Sequence, residues 1–147
     1  MPISLADFTK QNNMTENEMT DLLLKLADLG VTGIKVIYSG GGDSGAVDEI
    51  IYTTEKVTSL EDLENLDQYS ENVLNLRDLS TSFYSDIEDF ATSKLLDNIE
   101  DWWNNEGGFG TVLITVPSGN YTINNFIYTT DTEEFTHHGN LINKSLN

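Results

Sequence analysis

Ile34-Lys35-Val36-Ile37-Tyr38-Ser39, followed by Gly40-Gly41-Gly42-Asp43-Ser44-Gly45, decides how this chain folds. In the first six residues Ile34, Val36 and Tyr38 alternate with Lys35, Ile37 and Ser39, the period-two pattern of a half-buried strand. The glycine-rich run ends that pattern, because glycine tolerates the backbone angles of a tight reversal and Asp43 can bond neighbouring amides. Val47 to Thr54 then reads as the returning strand of a hairpin.

Upstream, the spacing predicts a helix over 15–29. Thr15 and Glu18 form a capping box, Met19, Leu22, Leu23, Leu26 and Leu29 an apolar stripe, and Gly30 a stop signal. Downstream, residues 57–80 are acidic and irregular, with Ser59 and Asp62 framing a short helix over Leu60, Leu63 and Leu66. A longer helix is expected over 85–103, capped by Ser85 with Glu88, and burying Ile87, Ala91, Leu95, Ile99 and Trp102. Asn104-Asn105-Glu106-Gly107-Gly108 ends it. Val112, Ile114 and Val116 then alternate, Pro117-Ser118-Gly119-Asn120 turns, and Tyr121 to Thr130 returns as a second hairpin.

The expected architecture is a single α+β domain over 1–147, with an antiparallel four-stranded sheet of two hairpins and helices packed on one face. Residues 1–14 read as an N-terminal extension and 136–147 as a polar, mobile tail. Ile51-Tyr52-Thr53-Thr54-Glu55 recurs in kind as Ile127-Tyr128-Thr129-Thr130-Asp131. An αββ duplication would produce this, and so would coincidence between two β-rich strands.

Composition narrows the function. The 147 residues suit one domain, and a 10% aromatic content argues against disorder. Against 7 Lys and Arg stand 25 Asp and Glu, leaving a net charge of −18. Such a field repels nucleic acid and anionic membranes and attracts basic surfaces. There is no cysteine, hence no disulfide or thiolate metal site. No apolar run reaches the roughly 18 residues of a membrane helix, and Met1-Pro2-Ile3-Ser4 lacks a secretion signal, so a cytoplasmic location is expected.

Several motifs invite a chemical reading. Gly42-Asp43-Ser44-Gly45 has the form of a serine-protease nucleophile segment, but His137 and His138, the only histidines, lie downstream in the polar tail. Asp43, Asp48 and Glu49 offer oxygens to a hard cation, yet their spacing matches no EF-hand loop, and Asp48 and Glu49 should point to opposite faces of a strand. No catalytic residue, metal or cofactor is singled out. In Asp101-Trp102-Trp103-Asn104-Asn105-Glu106-Gly107-Gly108 the two indoles cannot share one direction, so one can be core while Trp103 anchors a partner.

Tyr38-Ser39-Gly40-Gly41-Gly42-Asp43-Ser44-Gly45 resembles the Tyr-x-Gly-x-Gly-Asp-Ser-Gly segment of an uncharacterised family of small acidic bacterial and phage proteins. Trp102 to Gly110 is similar to that family's later helix end, Trp-(Trp or Glu)-x-Asn-(Glu or Asp)-Gly. The resemblance covers roughly residues 20–138. It implies a bacterial cell or phage-infected host and transfers no activity.

Charge patterning supplies the remaining expectation. On an ideal helix Asp86, Asp89, Asp97 and Glu100 fall within about 80° of one another, opposite the apolar face. Such a stripe would engage a basic surface of a partner protein, with nucleic-acid mimicry as the sharpest form, and Asp86, Asp89, Asp97, Glu100 and Trp103 as the contact residues. The expected function is therefore a non-enzymatic acidic binding protein, an inhibitor or modulator. Two alternatives stand beside it. One is a small metal-assisted hydrolase or small-ligand binder built on the Gly40–Gly45 loop, with Gly42, Asp43, Ser44, Gly45, Asn104 and Asn105 around it. The other is an assembly subunit of a virion or complex.

Overall fold

The computed structural model describes residues 16–42, 44–57, 60–65, 74–103, 106–116, 118–128 and 132–141. The first helix, α1 (Glu16–Asp28), buries Met19, Leu22, Leu23 and Leu26. It stops where expected. Gly30 adopts φ 89°, and its N–H and that of Val31 donate to Ala27 O and Leu26 O at 3.0 Å, the paired bonds of a Schellman cap. Leu29 lies past the last helical turn and is exposed, so the stripe ends at Leu26. The Thr15 cap and the 1–14 extension lie outside the described residues.

Strands β1 (Gly33–Gly41) and β2 (Ser44–Thr53) form the first hairpin, and β4 (Gly108–Thr115) and β5 (Asn120–Ile127) the second. The two hairpins join through β1 and β4, which run antiparallel with Ile34 opposite Ile114 and Val36 opposite Val112. Ile34, Val36, Ile114 and Val116 are all buried in one cluster with Tyr84, Ile87 and Phe90.

The sheet, however, has six strands, not four. Its order is β3-β2-β1-β4-β5-β6, all antiparallel neighbours. Strand β3 (Leu74–Asn75) adds a two-residue edge beside Ile51 and Tyr52. Strand β6 (Glu133–Asn140) pairs with the whole of β5, so residues 136–140 are sheet and not tail. Its sequence lacks an apolar stripe because an edge strand buries little on either side, and pairing supplies its order instead.

The helices also occupy both faces. The front face carries α1 and α4 (Thr81–Phe90); on the back, α2 (Leu60–Glu64) seats the fully buried Leu63 over Gly33, where a Cβ would come within 2.2 Å of its Cδ2. Leu66 lies outside the described residues. The recurrence of Ile51-Tyr52 as Ile127-Tyr128 does not reflect equivalent positions. Tyr52 joins the front core, whereas Tyr128 packs its ring near Phe109, on the opposite face.

The longer helix departs from expectation at both ends. After α3 (Leu76–Leu79), Ser80 caps α4 by accepting a bond from Phe83 N at 3.1 Å, five residues before the expected Ser85 cap. Beyond Phe90 the chain widens into a π-helical turn, Ala91–Leu95, tightens into a 3₁₀ turn, Leu96–Asn98, and is extended at Ile99. The hydroxyls of Thr92 and Ser93 donate to Glu88 O and Asp89 O, at 2.9 and 2.6 Å, alongside the loosened backbone ladder.

Candidate functional site

The Gly-rich hairpin and the Trp-Trp segment, far apart in sequence, pack against each other on the front face. Trp102 is 5% exposed and lies over Gly40 and Gly45. A Cβ on Gly45 would stand 2.2 Å from the indole Cζ3, and one on Gly40 would stand 2.9 Å from Cε3. Positive φ explains Gly42, at 61°, but Gly45 is required for a different reason: the indole occupies the space of its side chain. Trp102 is held from below by the edge of Tyr38, with ring centroids 4.8 Å apart, and by its Nε1–H, which donates to Leu96 O at 3.1 Å.

Trp103 takes the other direction. Its ring stands at 81° to that of Trp102, with centroids 5.6 Å apart, and it is half-buried. Its N–H donates to Asp101 Oδ1 at 3.3 Å, a local turn that orients the indole. Between Trp103, Asp97 and the Ser44–Gly45 backbone opens a cleft of about 240 Å³, floored by Trp102 and Leu96 and flanked by Thr92. Asp97 and Ser44 are exposed at its rim. Asp43, Asn104 and Asn105 lie outside the described residues.

The acidic stripe does not survive folding as one row. Asp86 and Asp89 are on α4 and half-exposed, Asp97 follows the π-helical turn, and Glu100 is outside the helix altogether. The wider turn changes the angle per residue, so positions after Phe90 rotate away from the ideal progression. The Asp86 carboxyl is pushed up by partial burial and by the nearby Glu18 and Asp89. Glu100 instead belongs to an inward polar chain. Tyr38 OH donates to Asn125 Oδ1 at 2.7 Å, Asn125 Nδ2 donates to Glu100 O at 3.1 Å, and Glu100 Oε1 meets His137 Nε2 at 2.6 Å. Partial burial raises the Glu100 pKa, but the bonds from His137, its own backbone and Asn125 outweigh it and leave the carboxyl below its ordinary value. Burial drives the Tyr38 phenol far above its ordinary range, with Glu100 adding to the effect.

This placement bears on the other candidates. Ser44 is on β2 and His137 on β6, four strand intervals apart, or roughly 19 Å at about 4.8 Å per interval. His138 bonds Thr122 Oγ1 through Nδ1 at 2.8 Å, on a strand just as distant. Tyr38 faces the core and not the cleft. Asp48 accepts from Ser39 Oγ at 2.6 Å while Glu49 accepts from Asn75 Nδ2, so the two acids serve separate contacts. Among the described residues no group of three His, Asp or Glu is placed to hold a metal ion. None of their helices is long and apolar enough to cross a membrane.

Two features escaped the sequence pattern. The Thr92–Leu96 wall of the cleft depends on the π-helical turn, which no local propensity announces. A second depression, about 320 Å³, lies on the back face between Leu60, Glu61 and Glu64 on α2 and Leu113, Thr122 and His138 on the sheet. It exists only because β6 completes the sheet.

An α+β protein with a six-stranded antiparallel sheet, one large front core and an acidic, aromatic cleft at the hairpin end is the class that the geometry defines. The chain belongs to DUF6878, a family of unknown function, whose model matches residues 14–139. Nothing among the curated proteins or the solved structures matches it.

Proposed function

We propose that the protein is a non-enzymatic acidic binding module, an inhibitor or modulator of the bacterial or phage kind that its motifs resemble, which engages a basic surface of a partner protein. The observation that carries this reading is the charge of −18 combined with a cleft that sets exposed Asp97 beside Trp103. Residues 57–110 alone hold 13 acids against Arg77 and Lys94, so 13 − 2 leaves −11. A field of this sign accelerates encounter with a basic partner, and an aromatic anchor supplies desolvated contact at the centre. Imitation of a nucleic-acid backbone would need a regular row of charges. Asp86, Asp89, Asp97 and Glu100 do not make one, so the reading is kept at a basic protein surface.

The test is capture from host lysate on the immobilised protein across a salt series, with mass-spectrometric identification. Basic proteins retained at low salt and released progressively as salt rises are the expected result. Retention of neutral or acidic proteins only, or retention indifferent to salt, would overturn the reading.

A further inference from the structure

Resting on that reading, we infer that the cleft between Ser44–Gly45 and Asp97–Trp103 is a socket for one cationic side chain of the partner, with arginine preferred to lysine. The chemistry of its lining selects the charge. The floor, Trp102, commits its only polar atom to Leu96 O and presents ring carbon to the cleft. The Thr92 hydroxyl spends its hydrogen on Glu88 O, which leaves it an acceptor. The carboxylate of Asp97 makes no hydrogen bond or ion pair among the described residues. The cleft therefore offers π faces, acceptors and a negative charge, and its side-chain donors are confined to Ser44 Oγ and the Trp103 indole N–H. An anion would meet repulsion. A neutral apolar group would leave the Asp97 carboxylate facing it without compensation.

Size and shape narrow the choice. At about 240 Å³ the space falls below the roughly 300 Å³ at which pockets begin to hold drug-sized ligands, and suits one long side chain. A guanidinium is planar, so it can lie against the Trp103 ring while directing two parallel N–H groups at one carboxylate; an ammonium cannot do both. The same protein already uses this contact, with Arg77 Cζ 4.3 Å from the centroid of the Tyr84 ring. Gly45 keeps the socket open indirectly, because a side chain there would displace its floor.

The measurement is a titration followed by ¹⁵N–¹H correlation spectra, in which the two tryptophans give two indole N–H signals and Trp103→Ala identifies one by its loss. N-acetyl-arginine amide should shift the Trp103 indole and the Ser44, Gly45 and Asp97 amides saturably. The lysine analogue should bind more weakly, and the neutral citrulline analogue should leave these signals in place. Asp97→Asn should weaken the arginine response about fivefold or more, with the melting temperature unchanged. A citrulline response equal to that of arginine, an unaltered response in Asp97→Asn, or no saturable shift would overturn the socket. A decapeptide of alternating Gly and Lys at low salt separates the two claims. If it perturbs amides over the acidic surface while the arginine amide leaves Trp103 unmoved, the socket falls and the broader reading stands. If the decapeptide also has no effect, both fall.

Discussion

Residues 96–103 contribute to two regions that use the same residue types in opposite ways. Facing inward, Trp102 is engaged with Tyr38, Leu96 and the glycines, and the partly exposed Glu100 is engaged through Oε1 with His137 and Asn125. Facing outward, Asp97 and Trp103 flank an open cleft. An acid and a tryptophan in each place have different consequences, because burial converts every unmet contact into lost stability while exposure leaves it available to a partner. Inner residues should therefore govern the melting temperature, and outer residues binding.

The largest effect that can break this comparison is Trp102→Ala. Removing a buried indole should cost about 3–5 kcal/mol, read as a fall in the denaturation midpoint. A loss under about 1 kcal/mol would mean that Trp102 is not the keystone of this end of the sheet. Next comes Gly45→Val, expected to cost about 1–3 kcal/mol by forcing the indole from its seat. The diagnostic is a combination: Trp102→Ala should absorb much of the Gly45→Val penalty, since the clash then has no partner.

Glu100→Gln should cost less, about 1 kcal/mol, because the His137 contact is partly exposed. Its pH dependence has a definite sign. The folded-state pKa of Glu100 lies below the ordinary 4.5, so its stabilisation is present above that value and is lost as pH falls through the folded pKa. Acid titration of the unfolding midpoint should thus bring wild type and Glu100→Gln together, and a gap that persists at low pH would show that the contact is not ionic. The smallest effect on stability belongs to the exposed Asp97: Asp97→Asn should leave unfolding within about 0.5 kcal/mol yet weaken capture of a basic partner. Trp103→Ala, which removes a half-buried ring packed against the core, should cost about 1–2 kcal/mol, less than Trp102→Ala, and weaken the same capture.

How legible each part was follows from where its information resides. Helix α1 and its glycine stop could be read to within a residue at the described end, because the Schellman bonds are local and glycine alone is at ease with φ 89°. The central strands were legible because Ile34, Val36, Val112 and Ile114 alternate against one buried face. Strand β6 was hidden: Glu133-Glu134-Phe135-Thr136-His137-His138 has no apolar period, and only pairing with β5 orders it. The site was half legible. Trp103 was marked by its adjacency to Trp102, whereas Glu100 was assigned to the outer stripe and turned out to be an inner clasp.

By itself the sequence determined the α+β class, the two hairpins, the acidic charge and the prominence of the Gly-rich loop and the tryptophan pair. These are properties of composition and of periods of two and about 3.6 residues, which a chain displays before it folds. Tertiary structure alone decided the six-strand order, the second helical face, the π-helical turn that breaks the acidic row, and the meeting of Trp102 with Gly40 and Gly45. The strand order, the second helical face and the packing of Trp102 on the glycines depend on contacts between residues tens of positions apart. Such contacts carry no local signature, because what they require of the sequence is often an absence, such as the side chain that Gly45 lacks.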